Sequence, residues 1–457
     1  MSVYGRPNIT PPSAPASDPV LVDTLPNGVR LLLLPYPGRA TAEVSVFVRS
    51  GSMHESRALN GIGHVVEHMV FKGTRARDAG AINLDAERLG ADVNAHTDKD
   101  HTAFHMRGLA RDALTFVPML AELVTTPTFP ADELERERQV LLQEFVEDDD
   151  DPMAAAYRLF DTACYGLHPV AQPAIGRRAT VERLQADDLR RWVERQFTGA
   201  NLVLAAAGSI DPDAFRRAAE AAFGGLSAGT PHAVAAPDWR GGLRTRRLDA
   251  GSQTHLVLGY PLPPLTAADP IGELAAACFG EGMSSPLMAE LRERRGLVYY
   301  AACAADVLDL CGEFVVEASF AADKLDELLP ALTALLRAQA EADADPVTLE
   351  RARNQLAVRW LRAHEKPARR LEAAALDLFA LGRVRALAER LERLQAVDAD
   401  AVRASFEHWQ RRTPPAVALA GKLVRGVSER VHAALAPLQL GAPVPPDAVQ
   451  PVDASAA

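Results

Sequence analysis

Cysteine is scarce in this 457-residue chain, and long apolar runs are missing. The four cysteines form no Cys-x-x-Cys pair, which argues against a disulfide framework and against a cysteine-based zinc site. They are Cys164, Cys278, Cys303 and Cys311, and we expect buried thiols because most of them sit among small apolar residues. No segment approaches about 18 uninterrupted apolar residues, and residues 1–20 resemble neither a signal peptide nor a transit peptide. These features predict a cytoplasmic protein that does not span a membrane.

Positively charged residues are fewer than negatively charged ones. The chain has 49 lysines and arginines against 60 aspartates and glutamates, a formal net charge of −11. This balance argues against non-specific binding to nucleic acid or to an anionic membrane, so neither is expected as a partner. The length predicts roughly two to four domains.

Hydrophobic periodicity predicts strands and helices in alternation. Two apolar runs flank Asn27-Gly28, a strong tight-turn signal, and therefore predict a β-hairpin. The segments AEVSVFVRSGS and TAFHMRGL predict strands, the first with a clear period of two. Helical patterns cover residues 61–73, 79–89, 110–124 and 131–147.

The order of these elements repeats with an offset of about 210 residues. Residues 187–226 run helix, strand, helix, and residues 397–438 do the same. The hairpin and the period-2 strands favour an α+β domain, present twice: a mostly antiparallel sheet with helices packed on one face. Gly and Pro gather over residues 227–244, which marks the seam. We therefore predict two related domains between two flexible tails. The predicted ranges are 1–19 (tail), 20–230 (first domain), 231–440 (second domain) and 441–457 (tail).

The stretch GIGHVVEHMVFKGT, residues 61–74, places two histidines and a glutamate close together. On a helix, His64 and His68 lie on one face with Glu67 beside them. Imidazole and carboxylate are costly to bury without partners, so these side chains either face water or bind something. Two neutral imidazoles on one helical face suit zinc, and a nearby carboxylate can act on a bound water. The His-x-x-Glu-His order is an inverted zinc-peptidase motif.

A catalytic zinc needs a third protein ligand and an open fourth position, and the helix predicted over 131–147 offers candidates. Glu144 has apolar neighbours in the sequence, a setting in which a bare carboxylate is costly. It is therefore either a metal ligand or a salt-bridged or exposed residue. Glu137 stands two turns earlier and shares its face. The pattern alone leaves the choice open.

The chain resembles the pitrilysin/insulinase family of zinc peptidases, which includes the mitochondrial processing peptidase. The resemblance covers the His-x-x-Glu-His segment with its trailing Phe-Lys-Gly-Thr, and the family's spacing to the third ligand reaches Glu144. It implies one zinc per chain, bound by His64, His68 and Glu144, with Glu67 as the general base. It gives Glu137 the role of an acidic residue that assists the metal site.

The segment VNAHTDKDHTAF is similar to the family's edge strand beside the metal, to which substrate backbone adds as an extra strand. The substrate-binding residues that this implies are Asn94, Ala95, His96 and Thr97. The family often has an aromatic residue where this chain has His96. Two further histidines, His101 and His105, raise the question of a second metal cluster. If the strand runs unbroken, His96 and His105 face opposite ways, and no second site is expected.

The segment GEGMSSPLMAELRERRGLVYYAA resembles the family's substrate clamp. Arg292 and Tyr299 match its Arg/Tyr pair, which holds the scissile carbonyl and stabilises the developing oxyanion. Pro286 is a departure, since an arginine is common there.

The resemblance implies a zinc-dependent metalloendopeptidase that hydrolyses short or unfolded peptides. It also implies a dimer in which the zinc half of one subunit faces the Arg/Tyr half of its partner, either a homodimer or a heterodimer with a homologous subunit. One alternative is a non-catalytic scaffold or peptide-binding subunit of a heterodimeric peptidase, which the complete set of zinc and base residues disfavours. Another is a metal-dependent hydrolase that does not act on peptides, which the edge strand and the clamp disfavour.

Overall fold

The structure is a computed structural model and describes residues 19–248 and 251–440. Apart from Pro19, the two predicted tails lie outside these residues. The predicted hairpin is present: β1 (Leu21–Thr24) and β2 (Arg30–Pro35) pair antiparallel. Gly28 in the turn has a φ of 91°, a conformation that glycine adopts without strain.

The first half carries each strand and helix that its periodicity predicts, with ends shifted by a few residues. Its remaining strands are β3 (Thr41–Val48), β4 (Asp92–Thr97), β5 (Thr102–Leu109) and β6 (Leu202–Gly208). Its helices are α1 (Ile62–Met69), α2 (Ala79–Arg88), α3 (Ala113–Thr125), α4 (Ala131–Asp150), α5 (Pro152–Tyr165), α6 (Arg178–Val181), α7 (Ala186–Gln196) and α8 (Pro212–Phe223).

The second half repeats this order. Its strands are β7 (Gly242–Arg247), β8 (Gln253–Leu262), β9 (Tyr300–Val307), β10 (Gly312–Ala321) and β11 (Ala416–Gly421). Its helices are α9 (Ile271–Gly280), α10 (Pro286–Met288), α11 (Leu325–Glu341), α12 (Pro346–His364), α13 (Pro367–Leu381), α14 (Leu387–Ala396), α15 (Ala399–Arg412) and α16 (Val427–Leu435). A π-helical stretch, Ala289–Arg294, follows α10.

Two sheets result, and their topologies match. The strand orders are β1-β2-β6-β3-β5-β4 and β7-β11-β8-β10-β9. In each sheet a single pair is parallel, β2 with β6 and β7 with β11, and the other pairs are antiparallel. Without β1, the two orders are the same, which is the internal repeat in three dimensions. The prediction of two mostly antiparallel α+β units is confirmed.

The first sheet has helices on both faces, so the prediction of helices on one face is incomplete. One face packs on helices of its own half, for example Val46 in the cluster that contains Phe116 of α3. The other face carries Leu34 and Ala103, and it packs against Leu378 and other apolar residues of α13 from the second half. Both faces of these strands are apolar, so both need cover.

The second sheet is covered in the reciprocal way. α5 of the first half packs on it, with Phe160 in the same buried cluster as Val257 and Ala418. Gly259 permits this close approach, because a Cβ there would lie 2.6 Å from the ring of Phe160. The halves are interlocked by an exchanged helix on each side.

The last strand of the first sheet ends at Gly208, and the first strand of the second sheet begins at Gly242, inside the predicted seam at residues 227–244. The limits 20–230 and 231–440 stay a prediction, since α5 and α13 each pack on the sheet of the other half. All four cysteines are buried free thiols, as expected from their neighbours. Over the described ranges, no helix combines the length and apolar character needed to cross a membrane.

Candidate metal centre

Helix α1 carries the His-x-x-Glu-His motif and is held at its start. The buried carboxylate of Glu55 accepts hydrogen bonds from the backbone N–H groups of Gly61 and Gly63, at 2.7 and 2.8 Å. These groups have no partner within the helix, and a carboxylate there also interacts favourably with the helix dipole. Ile62 and Val66 are fully buried on the inner face. α1 is therefore fixed at its start and along its inner face, which limits the movement of the side chains on its other face.

His64 and His68 point from α1 toward Glu144 of α4. The Nε2 atom of His64 lies 3.6 Å from Oε2 of Glu144, and the Nε2 atom of His68 lies 3.6 Å from Oε1. The ligand atoms of the three residues lie within 4.8 Å of one another. A tetrahedral zinc with bonds of about 2.0–2.1 Å needs ligand atoms roughly 3.3 Å apart. The spacing and the nitrogen and oxygen donors fit zinc.

Glu144 lies in a more open setting than its sequence neighbours suggest. Its side chain is 36% exposed, and Val140, one turn earlier, is 48% exposed. Glu144 is therefore not a buried carboxylate that needs a partner to offset its burial, and that argument for its role as a ligand does not apply. The exposure leaves the cluster accessible from one side, as an open fourth coordination position requires.

Glu137 is buried next to His68, at the place that the family resemblance implies. Its Oε1 lies 2.9 Å from Nδ1 of His68, and its Oε2 lies 2.6 Å from Nζ of Lys72. Burial opposes ionisation, but Lys72 and His68 outweigh it and hold the pKa of Glu137 below its ordinary value. An ionised Glu137 accepts the Nδ1 proton of His68, which leaves the Nε2 lone pair directed at the cluster. Sequence reasoning missed Lys72, although it stands one turn after His68.

Burial also sets the charge states of His64 and Glu67. It lowers the pKa of His64 to about 4, with a smaller contribution from His68, so the imidazole is neutral and able to ligate near pH 7. It raises the pKa of Glu67 above its ordinary value, although a hydrogen bond with Thr97 opposes this. The Oε2 atom of Glu67 is buried and has no hydrogen-bond partner among the described residues. Such an atom calls for a partner, and a water or a substrate group can supply one.

The four residues predicted to bind substrate lie on β4, at the edge of the first sheet. Among the described residues β4 pairs with β5 alone, and its other side is open there to backbone pairing. Ala95 packs with the core on the α1 side and Thr97 acts on Glu67, whereas Asn94 and His96 face the other way. The structure thus places an edge strand against the candidate metal centre.

Arg292 and Tyr299 lie in the second half and are both exposed, Tyr299 to 61%. Arg292 belongs to the π-helical stretch, and Tyr299 immediately precedes β9. Within the described part of the chain, neither forms an ion pair or side-chain hydrogen bond with the metal cluster. Pro286 occupies the first position of α10, after the N-cap Ser285, where the N–H that proline lacks is not needed.

The expectation that His96 and His105 face opposite ways is wrong. A turn at residues 98–101 breaks the strand, and the antiparallel register pairs Asn94 with His105 and His96 with Ala103, so these residues share a face. The ring centroids of His96 and His105 are 6.0 Å apart. A second candidate cluster lies on this face, formed by His96, His101 and Glu372 of α13. No local pattern signals it, because Glu372 comes from the other half.

Comparisons with known proteins agree with the fold and with the family that the sequence resembles. The family model described as "Insulinase (Peptidase family M16)" matches residues 31–178, and the one described as "Peptidase M16 inactive domain" matches residues 183–356. The chain is 30% identical over 426 residues to "Uncharacterized zinc protease SCO5738" of Streptomyces coelicolor, covering 90% of this chain and 92% of that protein. It is 28% identical over 382 residues to "Uncharacterized zinc protease YmxG" of Bacillus subtilis, covering 83% and 93%.

Two solved structures share the fold. One is a protease from Helicobacter pylori, with a TM-score of 0.81 at 20% identity, covering 89% of this chain and 100% of that one. The other is a peptidase M16 inactive domain from Pseudomonas fluorescens, with a TM-score of 0.80 at 22% identity, covering 89% and 98%.

Proposed function

We propose that this chain, which belongs to the insulinase (M16) family of peptidases, is a zinc-dependent metalloendopeptidase acting on short or unfolded peptides. The observation that carries the proposal is the convergence of His64, His68 and Glu144 beside the buried carboxylate of Glu67. The names of the relatives, uncharacterized zinc proteases, support the metal and the reaction class.

Each side chain has a role in this proposal. Zinc held by the three ligands would lower the pKa of a water toward about 7 and polarise a peptide carbonyl. Glu67 accepts the proton of the attacking water and then delivers it to the leaving amine. Glu137 orients His68, and β4 aligns the substrate by pairing with its backbone.

Zinc content and peptide cleavage test the proposal together. We expect His64→Ala to lose the zinc of this site, and a chelator to abolish cleavage of a quenched fluorescent peptide. We expect Glu67→Gln to keep the zinc and lose cleavage, because the amide cannot accept the proton. Glu147→Gln, on the exposed side of α4, is the matched control and should retain both. Bound zinc without cleavage across a peptide library would instead favour a non-catalytic scaffold.

The second part of the proposal is a dimer that completes the site. Arg292 and Tyr299 are exposed and, in the described residues, form no ion pair or side-chain hydrogen bond with the metal cluster of their own chain, so a partner subunit would have to present them. A C2 homodimer has two such shared sites. A heterodimer with a homologous subunit would present them in the same way.

Mixing two inactive variants tests whether the site is shared. In a mixed dimer of Glu67→Gln and Arg292→Ala subunits, one site combines two intact halves. Random pairing should then recover about a quarter of wild-type activity. If Arg292 acts within its own chain, the mixture stays inactive. An active monomer in light scattering would also overturn the dimer.

A further inference from the structure

A second set of ligand-type atoms converges behind the edge strand. The Nε2 atom of His96 lies 3.3 Å from Nε2 of His101 and 3.4 Å from Oε1 of Glu372. The Nε2 atom of His101 lies 3.8 Å from the same carboxylate oxygen. These separations lie at or up to about 0.5 Å above the roughly 3.3 Å that a tetrahedral zinc needs between ligand atoms. They are as close as those of the first cluster.

The second cluster is separated from the first by the sheet. Thr97 points toward Glu67 and α1, and its neighbour His96 points to the opposite face, on the side of Ala103. Ala103 packs against α13, the helix that carries Glu372. The two clusters therefore lie back to back across β4 and share no residue.

The surroundings orient the ligands as they do in metal sites. His101 is 2% exposed, and its Nδ1 donates to Oδ1 of Asp100 at 2.6 Å, which directs the Nε2 lone pair at the cluster. Arg369 lies 3.3 Å from Oε2 of Glu372, so that Oε1 is left for the cluster. The side chain of His96 is 40% exposed, which gives an ion access and room for a water as a further ligand.

A shared proton is the alternative occupant of the same place. Burial opposes charge on His101, but the hydrogen bond with Asp100 prevails and raises its pKa. Hydrogen bonding with His96 lowers the pKa of Glu372 to about 2, so the carboxylate is ionised. A protonated imidazole and Glu372 can thus form an ion pair without metal. A measurement of bound metal distinguishes the two occupants.

We propose that His96, His101 and Glu372 form a second binding site for a divalent transition-metal ion of the zinc type. Two imidazoles and one carboxylate are the donor set that zinc accepts. An ion there fastens α13 of the second half to the edge strand and the β4–β5 turn of the first half. The chain then binds two ions, not the one per chain that the family resemblance implies.

Metal content tests this in a chain whose first site has been removed. In the His64→Ala background we expect one zinc or cobalt ion per chain after dialysis, and a rise in unfolding temperature on adding zinc. Adding His96→Ala and Glu372→Gln should remove both the ion and the temperature rise. Both residues are partly exposed, so these substitutions should leave the fold intact. His105→Ala, on the same face but outside the ligand set, is the matched control and should retain the ion.

Two outcomes would overturn the second site. One is a His64→Ala chain that binds no metal at any zinc concentration below non-specific uptake. The other is a bound ion that persists when His96 and Glu372 are replaced. Failure of the proposed peptidase activity would touch neither measurement, because the readout is metal content and not catalysis.

Discussion

Helices α1 and α9 hold the same position in the two halves, yet only α1 carries candidate metal ligands. Each follows the strand at the centre of its sheet, and each begins with Ile-Gly. The aligned pairs are His64 with Glu273, Glu67 with Ala276, and His68 with Ala277. Glu273 accepts a hydrogen bond from Nε1 of Trp360 at 3.0 Å, and the two alanines are buried. The second half packs apolar atoms where the first half holds the candidate metal site.

The long helices that face them, α4 and α12, show the same contrast. Both contain Leu-Glu-Arg-x-Arg, which aligns Glu137 with Ala352 and Glu144 with Arg359. Arg359 forms an ion pair with Glu281 instead of facing histidines. The last arginine of the motif binds backbone carbonyls in both helices. Arg138 donates to the carbonyls of Val181 and Leu184. Arg353 donates to the carbonyl of Val397. The fold thus depends on the shared residues, and the proposed metal ligands are additional to it.

The largest effect on peptide cleavage is expected when two motif residues of α1 are replaced by their counterparts in α9. The double variant Glu67→Ala with His68→Ala reproduces Ala276 and Ala277. It should lose peptide cleavage by at least roughly a thousandfold, because it removes the general base and one ligand. It should keep its fold, since small apolar residues fit the equivalent helix. Peptide hydrolysis and thermal unfolding measure the two effects.

The control for this exchange is Glu133→Gln, which alters an exposed ion pair with Arg136 on α4. Such pairs contribute little, so activity and stability should stay near those of the wild type. A double variant that unfolds even with chelator present would show that the motif residues support the fold, contrary to the comparison.

The next largest effect is a loss of zinc affinity on replacing Glu137, which aligns with Ala352 of α12. Glu137→Ala removes the acceptor that orients His68 and leaves Lys72 without its partner. Zinc affinity should fall by about 10- to 100-fold, and excess zinc should restore activity. Competition with a chromophoric chelator gives the affinity. Unchanged affinity would mean that His68 is oriented by packing alone.

Replacing Arg138 or Arg353, the last arginine of the shared motif, should lower the free energy of unfolding and leave the zinc affinity unchanged. Arg138→Ala leaves two buried carbonyls without their donor, and Arg353→Ala leaves one. Each lost partner costs about 1–3 kcal/mol, so Arg138→Ala should lower the free energy of unfolding the more. Denaturant unfolding of metal-free protein measures this. Both variants should bind zinc with equal affinity. A lower zinc affinity in Arg138→Ala alone would contradict the separation between residues that stabilise the fold and residues that bind the metal.

How well the sequence predicts a contact depends on how far apart in the chain its residues are. The placement of His64, Glu67 and His68 was predictable because one helical turn fixes it. Glu144 was an open choice from its own pattern, since its approach to α1 depends on how two helices pack. Glu372 was out of reach, because it comes near His96 only through the exchanged packing of α13 on the first sheet.

The connection before α1 differs from its counterpart before α9, and this gives the smallest expected effect. The first half has residues 49–61 there, including His54, whereas the second half has only 263–270. Burial lowers the pKa of His54 from 6.5 to about 4, with His232 and Arg49 acting in the same direction and Asp100 opposing them. The unfolded chain therefore takes up a proton as pH falls through this window, and the folded chain does not. Stability from this group is present above about pH 6.5 and is lost toward about pH 4.

Replacing His54 by asparagine isolates that contribution. The asparagine carbonyl can accept the hydrogen bond that Nδ1 accepts from the backbone N–H of Gly51 at 3.0 Å. Between about pH 7 and about pH 4.5, the wild type should lose on the order of 1 kcal/mol more than His54→Asn. Denaturant unfolding at both pH values, in the presence of chelator, measures the difference. Histidines that do not neighbour His54 titrate alike in both proteins, whereas the ring centroid of His232 lies 5.9 Å from that of His54. His54→Asn with His232→Asn, compared with His232→Asn alone, separates the two rings, and parallel losses in both comparisons would mean that His54 charges freely in the folded state.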